Sequence, residues 1–440
     1  MKNRLRNITC RFVIKLSRLR PRVFGSLIFI FCLIFYASCK KKAENADFVP
    51  HLDTKTKCKI EIAGRYQNFE AIEAEFDRFN EFYPNVELAY TYLDNYKKSI
   101  STALASENAP DIFMTFPWML DKSNYNPLLD NAENLADSKN TGIELSDVNQ
   151  KLLFQVSDGS IPMVPILCAA NGMLVNEDLF KKEKIQIPKN YAELIKACKK
   201  FKEAGYKSPI LSDNSEISIM ASLIYPYFTK EAMNDSSAIS KLNKLEPEAG
   251  EYMRSTLEWI QDFKNYGFID LEECSKIKDN YAAVIMRFFE GDVPMMISSA
   301  DVVSGTKKRE ALSEAFTKNP FKYSFYAVPV MENGGAILEV PSLEFSVNKN
   351  GENLEMANEF LRFLLRTEEL NNLAKIKRLI TCSTEYAFDD VYAPLENTEH
   401  LYQLDIGILD NAYTQLRNAA YQVFLGNQTV DEAVLNYGKY

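Results

Sequence analysis

Histidine is nearly missing from this chain: there are two in 440 residues. His51 falls in a polar N-terminal stretch and His400 in a polar loop, and neither has a metal-ligand or catalytic partner nearby in sequence. That excludes the usual zinc spacings and gives no support to triad chemistry. Cysteine is also sparse where it could matter. Of eight, Cys10 and Cys32 lie in a leader and Cys39 at its end; Cys58, Cys168, Cys198, Cys274 and Cys382 stand singly, with no CxxC pairing. An odd, scattered set reads as buried small apolar residues rather than a disulfide framework. The chain lacks G-x-S-x-G, GxxxxGK[ST], GxGxxG and calcium-loop spacings, so the commonest phosphate, nucleotide and hydrolase signatures are absent. It has no internal repeat and no low-complexity segment.

What is present starts with charge. The formal net charge is -9, but residues 1–38 carry eight Lys or Arg and no acid, which leaves 43 basic against 60 acidic residues in the remainder. An acidic body argues against nucleic acid as partner, since that needs a basic footprint. The length suits two lobes of roughly 150 to 200 residues each. A hydrophobic content of 46%, with 12% aromatics, is enough for well-formed cores.

The leader has the layout of a secretory signal: a basic segment ending at Arg22, then an uncharged run over 23–38 that is short for a membrane span. Cys39 follows Tyr36, Ala37 and Ser38 directly, which resembles a lipoprotein signal whose new N-terminal cysteine carries lipid. Tyr36 stands where an aliphatic residue is usual. Residues 39–57 are polar and aperiodic and read as a flexible tether.

The body then alternates. Ile60 and Ile62 mark a strand over 59–63. Asn68 can cap a helix whose Phe69, Ile72, Phe76, Phe79 and Tyr83 share one face, ended by Pro84. Val86, Leu88, Tyr90 and Tyr92 alternate as a second strand; a helix over 96–106 and a strand over 111–114 follow. Strand, helix, strand, helix, strand with short links predicts a parallel sheet with helical crossovers. An uncharged apolar run over 161–175 reads as a buried strand. Asn176 then offers a cap with Glu177 and Asp178 behind it, and Asn190 with Glu193 forms a second start signal. Leu194, Ile195, Cys198 and Phe201 make the helical stripe that Gly205 stops. Helices are expected over 255–264 and 282–290, and Thr429 with Glu432 reads as a capping box.

Several of these stretches carry a resemblance. Val164-Pro165 through Asn176-Glu177-Asp178-Leu179-Phe180, Ile187-Pro188 and Tyr191-Ala192-Glu193-Leu194 are similar to the first crossover of the family 1 extracellular solute-binding proteins. Ala105 to Ile112 resembles that family's small-residue turn and Pro-Asp-Ile motif. Gly291-Asp292-Val293-Pro294-Met295-Met296-Ile297-Ser298 resembles its helix–glycine–strand segment. Tyr326-Ala327-Val328-Pro329 with Glu344-Phe345-Ser346-Val347 resembles the second crossover. Asn353 before Ala357, Phe360, Leu361 and Leu364 is similar to a capped family helix, and the stretch from Gly426 to Ala433 resembles the closing segment. The resemblance covers about residues 58–440, in family order.

It implies an α/β chain with the two-lobed periplasmic-binding-protein type II fold, each lobe a mostly parallel sheet flanked by helices, joined by a hinge. The expected division is a signal over 1–38, a tether over 39–57, one lobe from 58–168 plus 345–385, and another from 169–344 plus 386–440. The implied function is capture of a carbohydrate in the inter-lobe cleft and delivery to the membrane permease subunits of an ATP-binding-cassette importer. A monomer held outside the cytoplasm by lipid on Cys39, with no cofactor, no metal and no catalysis, is expected. A carbohydrate-active enzyme, or a structural surface lipoprotein, is the alternative.

The family's pocket positions fall on Arg65, Tyr66 and Gln67 after the first strand; on Thr115, Phe116 and Trp118 after the Pro-Asp motif; on Asn171 in the first crossover; on Glu216 in a second-lobe loop; on Ser298, Ser299 and Asp301 after the glycine turn; and on Tyr413. Sugars are held by aromatic faces against C–H-rich ring faces, with polar side chains for hydroxyls. Trp118 could instead anchor a loop, Arg65 could pair with a surface acid, and Tyr413 sits in a helical pattern where an inward aromatic is equally core. Glu339 and Glu344 are the pair a glycosidase reading would use, which needs a defined separation across a cleft.

Overall fold

In the computed structural model, residues 48–67, 69–116, 119, 127–212, 222–277 and 281–440 are described. The leader, Cys39, Asn68, Trp118 and Glu216 lie outside these residues. Strand β1 (Cys58–Gly64) runs parallel to β2 (Val86–Tyr92) over seven residue pairs and to β3 (Ile112–Thr115), with α1 (Glu70–Phe79) and α2 (Tyr96–Leu104) as the crossovers. Ile60 and Ile62 are fully buried, and α1 turns Ile72, Phe76 and Phe79 inward, where Phe76 and Phe79 meet the edge of Phe360 at 5.3 and 5.2 Å. Burial of such aromatics supplies most of the helix's stability, since an isolated helix this short is marginal in water.

The Pro-Asp motif has a mechanical reason. The buried Asp111 carboxylate accepts the amides of Glu61 and Asn353, each at 2.9 Å, and its carbonyl accepts the amide of Asn348 at 2.8 Å. One side chain therefore stitches β1 to a segment more than 200 residues later. Asn353 does not cap the helix that follows, contrary to the sequence reading; its amide side chain donates to the Lys59 carbonyl at 3.0 Å instead.

β4 (Val164–Asn176) is the long apolar strand expected, and all but Asn171 is buried. Over Val164–Ala170 it pairs antiparallel with β8 (Ala336–Val347); over Asn171–Asn176 it pairs antiparallel with β6 (Met295–Ser299) and β7 (Tyr323–Tyr326). Register shifts on either side of Leu167 bend it, as bulges do. β4 thus belongs to two half-sheets. The full order is β2-β1-β3-β8-β4-β6-β5, with β5 (Ile210–Leu211) parallel to β6, β7 on β4, and β9 (Glu399–Tyr402) parallel to β8. The pairs β1–β2, β1–β3, β5–β6 and β8–β9 are parallel, whereas β4 pairs antiparallel with β6, β7 and β8, and β3 pairs antiparallel with β8, so the half-sheets are mixed rather than mostly parallel. At Gly172 an added Cβ would lie 2.5 Å from the Tyr326 carbonyl oxygen, so only glycine admits β7 this closely.

Helix α3 (Glu177–Lys182) starts with Asn176 accepting the Leu179 amide at 3.1 Å, and α4 (Tyr191–Glu203) with Asn190 accepting that of Glu193 at 2.9 Å. Beyond them come α5 (Ser222–Ala232), α6 (Arg254–Tyr266) and α7 (Tyr281–Phe288), followed by α8 (Ala300–Ser304). After β8 the chain packs back beside α1 through α9 (Leu354–Leu364) and α10 (Thr367–Lys377), then ends on α11 (Asp410–Leu425) and α12 (Val430–Leu435), which Thr429 and Glu432 cap as a box.

Tyr413 on α11 is 2% exposed, its hydroxyl 2.7 Å from that of Thr229 and its ring 4.7 Å from Tyr225. It is a core residue between α5 and α11, because the helix stripe that carries it faces α5. The segment before β1 is also tied down: the His51 amide donates to Glu359 at 2.8 Å and the Leu52 amide to the Tyr83 hydroxyl at 3.1 Å. At least these residues of the expected tether follow the body.

Two carboxyls sit inside the β8 crossover. Glu339 accepts the Tyr386 hydroxyl at 3.0 Å and meets Nδ1 of His400, whose Nε2 faces the Leu395 carbonyl at 3.1 Å. Burial works to lower the His400 pKa, but the bond to Glu339 and its charge outweigh burial and raise it. Glu344 is fully buried, neither carboxylate oxygen has a hydrogen-bond partner, and burial pushes its pKa up to about 8. The unfolded carboxyl loses its proton near 4.5, the folded one near 8, so the folded state gives up stability as pH rises through that interval. Glu344→Gln removes this dependence. It should leave stability unchanged near pH 4.5 and raise it at pH 8 by about 2 to 4 kcal/mol, read from urea unfolding across that range; parallel pH profiles for the two proteins would contradict it.

Candidate functional site

The turn that leaves β1 is held by its neighbours. The Arg65 amide donates to Met114 Sδ at 3.4 Å and the Tyr66 amide to the Tyr90 hydroxyl at 3.1 Å. Gly64 permits this: a Cβ there would fall 2.2 Å from the Tyr90 oxygen and 2.6 Å from Met114 Cε. The turn therefore presents Arg65 and Tyr66 beside Phe116, just beyond β3. The Arg65 guanidinium stands 4.4 Å from the Phe116 ring centre and 5.6 Å from that of Tyr66. Phe116 is itself buried and abuts Tyr96 edge-on at 5.6 Å, with the Tyr96 hydroxyl fixed on the Met114 carbonyl at 2.6 Å.

A second cation reaches the same tyrosine. Lys377, at the end of α10, places its ammonium 4.9 Å from the Tyr66 ring centre and 5.7 Å from that of Phe69. Neither Arg65 nor Lys377 forms an ion pair within 4.0 Å among the described residues, so both charges rest on aromatic faces, an arrangement that gains value when desolvated.

Asp301 on α8 approaches from the other half-sheet. Its carboxylate accepts the Ser342 hydroxyl of β8 at 3.0 Å. Burial raises its pKa, while the Ser342 bond and the charges of Arg65 and Lys377 oppose the rise. Burial lowers the Lys377 pKa, against the pull of Glu70 and Asp301, and burial raises that of Tyr66. Tyr66, Lys377 and Asp301 are thus partly dehydrated and feel one another's charge across the turn after β1, α10 and α8, while Arg65 beside them is exposed.

The other expected pocket residues lie on strand ladders. Asn171 pairs with Ser299 and Gly172 with Ser298 in the β4–β6 ladder. Asn171 and Ser299 are half-buried, whereas Ser298 is buried. Thr115 lies opposite Glu344 on the β3–β8 ladder, fully buried with an unpartnered hydroxyl. Gln67 is exposed.

Of the residues read from sequence, Arg65, Tyr66, Phe116 and Asp301 therefore come together; Thr115, Asn171, Ser298 and Ser299 lie on strands β3, β4 and β6; Tyr413 is buried between α5 and α11. Lys377 and Ser342 were missed. Lys377 is one basic residue among several at a helix end, and nothing in its neighbours distinguishes it. Ser342 could have been found from the strand pattern around Glu344.

Chemically, the cluster offers aromatic faces, donors and one carboxylate acceptor, the inventory that polyhydroxylated rings need. Glu339 and Glu344 are fully buried, one engaged by His400 and Tyr386 and the other sealed, so neither is presented as a glycosidase acid or nucleophile. Among the described residues no group of three His, Cys, Asp or Glu is arranged to hold a metal. A separate groove of about 880 Å³, lined by Ile187, Pro188, Tyr326, Gly334 and Thr398 among others, shares no residue with the cluster.

Comparison places this geometry. The chain matches the family model described as bacterial extracellular solute-binding protein over residues 63–370. No curated protein sequence matches it. Among solved structures it is similar to the apo form of RafE from Streptococcus pneumoniae, at 15% identity and TM-score 0.67, covering 87% of this chain and 97% of that one. It is also similar to a Bacillus subtilis binding protein in an open conformation, at 14% identity and TM-score 0.63, covering 87% and 96%. The GacH receptor of Streptomyces glaucescens stands at 15% identity and TM-score 0.60, covering 88% and 97%. At such identities the likeness is one of fold. The family match extends from the end of β1 into α10, most of the chain, and on that ground the protein belongs to the bacterial extracellular solute-binding proteins, a family of binders rather than enzymes.

Proposed function

We propose that this chain captures a carbohydrate between two lobes, 58–168 with 345–385 and 169–344 with 386–440, and delivers it to the permease subunits of an ATP-binding-cassette importer. The observation that carries the reading is the Arg65–Tyr66–Phe116 group with Lys377, and Asp301, bonded to Ser342 of β8, close enough to feel their charges. Aromatic faces take the apolar side of a sugar ring, and the flanking charged groups take its hydroxyls. Support also comes from what similar folds hold: RafE has been solved with raffinose, a Bifidobacterium binding protein with mannobiose, and GacH with acarbose. Trp118, two residues after Phe116 in sequence, is proposed as a further platform and Glu216 as a second-lobe contact; Asn171, Ser298, Ser299, Thr115 and Gln67 complete the proposed pocket.

Closure converts binding into a signal. A ligand that touches both lobes favours the shut form by the difference between its affinities for shut and open protein, and a permease can read that difference in shape. The anchor is proposed to be lipid on Cys39, the residue following the leader, with the protein a monomer outside the cytoplasm.

Titration calorimetry with raffinose, manno-oligosaccharides and malto-oligosaccharides tests the assignment. At least one sugar should bind saturably, and Tyr66→Ala or Trp118→Ala should each weaken it about tenfold, equivalent to about 1.4 kcal/mol. Heats from amino acids or polyamines with none from any sugar would overturn it. For the anchor, Cys39→Ser should move the protein from the membrane fraction to the soluble one, and unchanged retention would rule lipidation out.

A further inference from the structure

Two of the singly spaced cysteines are neighbours in the fold. Cys168 lies on β4, three residues before that strand changes half-sheet, and Cys382 follows the end of α10, on the chain's last passage from the first lobe to the second. Their sulfurs are 3.3 Å apart and both residues are fully buried. The backbone around them is held from both sides. Cys168 exchanges two hydrogen bonds with Ile380, at 2.9 and 3.1 Å, and the Cys382 carbonyl accepts the Asn149 amide at 2.9 Å. Val148 bridges Ser383 in the same way. The thiols therefore face each other because three extended segments fix them there.

We propose that Cys168 and Cys382 are a disulfide site, oxidised as the chain folds, that fastens the first crossover strand to the last crossover segment. A sulfur–sulfur bond measures about 2.0 Å, so the two atoms need close only roughly 1.3 Å, within the reach of side-chain rotation. A member of an extracellular family works outside the reducing cytoplasm, where such bonds persist. The oxidant is a small-molecule or enzyme-borne disulfide. The thiolate of one cysteine attacks a sulfur of that disulfide and expels one thiolate. The second cysteine, giving up its proton, attacks the mixed disulfide and expels the other. Two electrons leave the cysteine pair, the oxidant is reduced to two thiols, and the two protons go with them. Burial pushes both thiols' pKa up, which makes exchange slow once the core has closed and places the reaction during folding.

The cross-link encloses the whole second-lobe insertion between the two cysteines. It also makes two of the crossovers move as one, so bending falls on the residues beyond them. This is independent of which ligand the cleft holds.

Refolding the full chain from urea with oxidised and reduced glutathione, then blocking free thiols and digesting with trypsin without reduction, tests it by mass spectrometry. The expected product is a peptide containing Cys168 joined to one containing Cys382, two hydrogens lighter than the separate pair, in most molecules and abolished by dithiothreitol. The oxidised protein should also melt at a higher temperature than the same sample reduced. Blocked thiols on both Cys168 and Cys382, or linkage of either to Cys58, Cys198 or Cys274, would overturn the proposal.

Discussion

The antiparallel ladder of β4 against β8 is the constraint on which the other elements depend. β4 is too long for one half-sheet and is shared between two, and its pairing with β8 from Val164 with Phe345 to Ala170 with Glu339 is the seam. Backbone hydrogen bonds inside such a seam cannot be exchanged for water without cost. Parting the two strands would break this ladder, whereas bending at its register shifts would not. That is the physical content of a hinge here: a continuous ladder with register shifts near Leu167, and paired neighbours on both sides.

Charge has been placed on this seam at some expense. Glu344 is buried without a partner and is held neutral by burial. Glu339 is matched by His400 and Tyr386. Asp301 and Lys377 are partly dehydrated, and the cations Lys377 and the exposed Arg65 stand against aromatic rings. Polar groups left in this condition bind well, since a ligand that satisfies them recovers interactions that water supplies only in part. Sites often carry such local conflict while the rest of the fold is consistent.

Much of the scaffold was legible in sequence because its signals are local. Alternation in β1 and β2, the apolar run of β4, the caps at Asn176 and Asn190, and the box at Thr429 each depend on residues within a few positions. Asp111 was recognised as part of a motif, but its task, joining β1 to the residues after β8, is a long-range one that no window contains. The same limit covers what no local window shows. Asn353 resembles a cap yet spends its side chain on Lys59; Tyr413 carries a platform's chemistry but faces Thr229; Cys168 and Cys382 are 214 residues apart in sequence and touch in space. Lys377 reaches Tyr66 only because α10 packs back against the first half-sheet. Which residues meet over a seam is decided by topology, and topology is where single-sequence reading is weakest.

The central claim is that the halves joined by β4 and β8 close on a small guest without transforming it. Small-angle X-ray scattering from the full chain, with and without a sugar shown by calorimetry to saturate it, measures that most directly. A fall in both radius of gyration and maximum dimension on binding, with the sugar recovered unchanged, is the predicted result. Identical scattering curves from empty and saturated protein, or conversion of the sugar to another product, would contradict it.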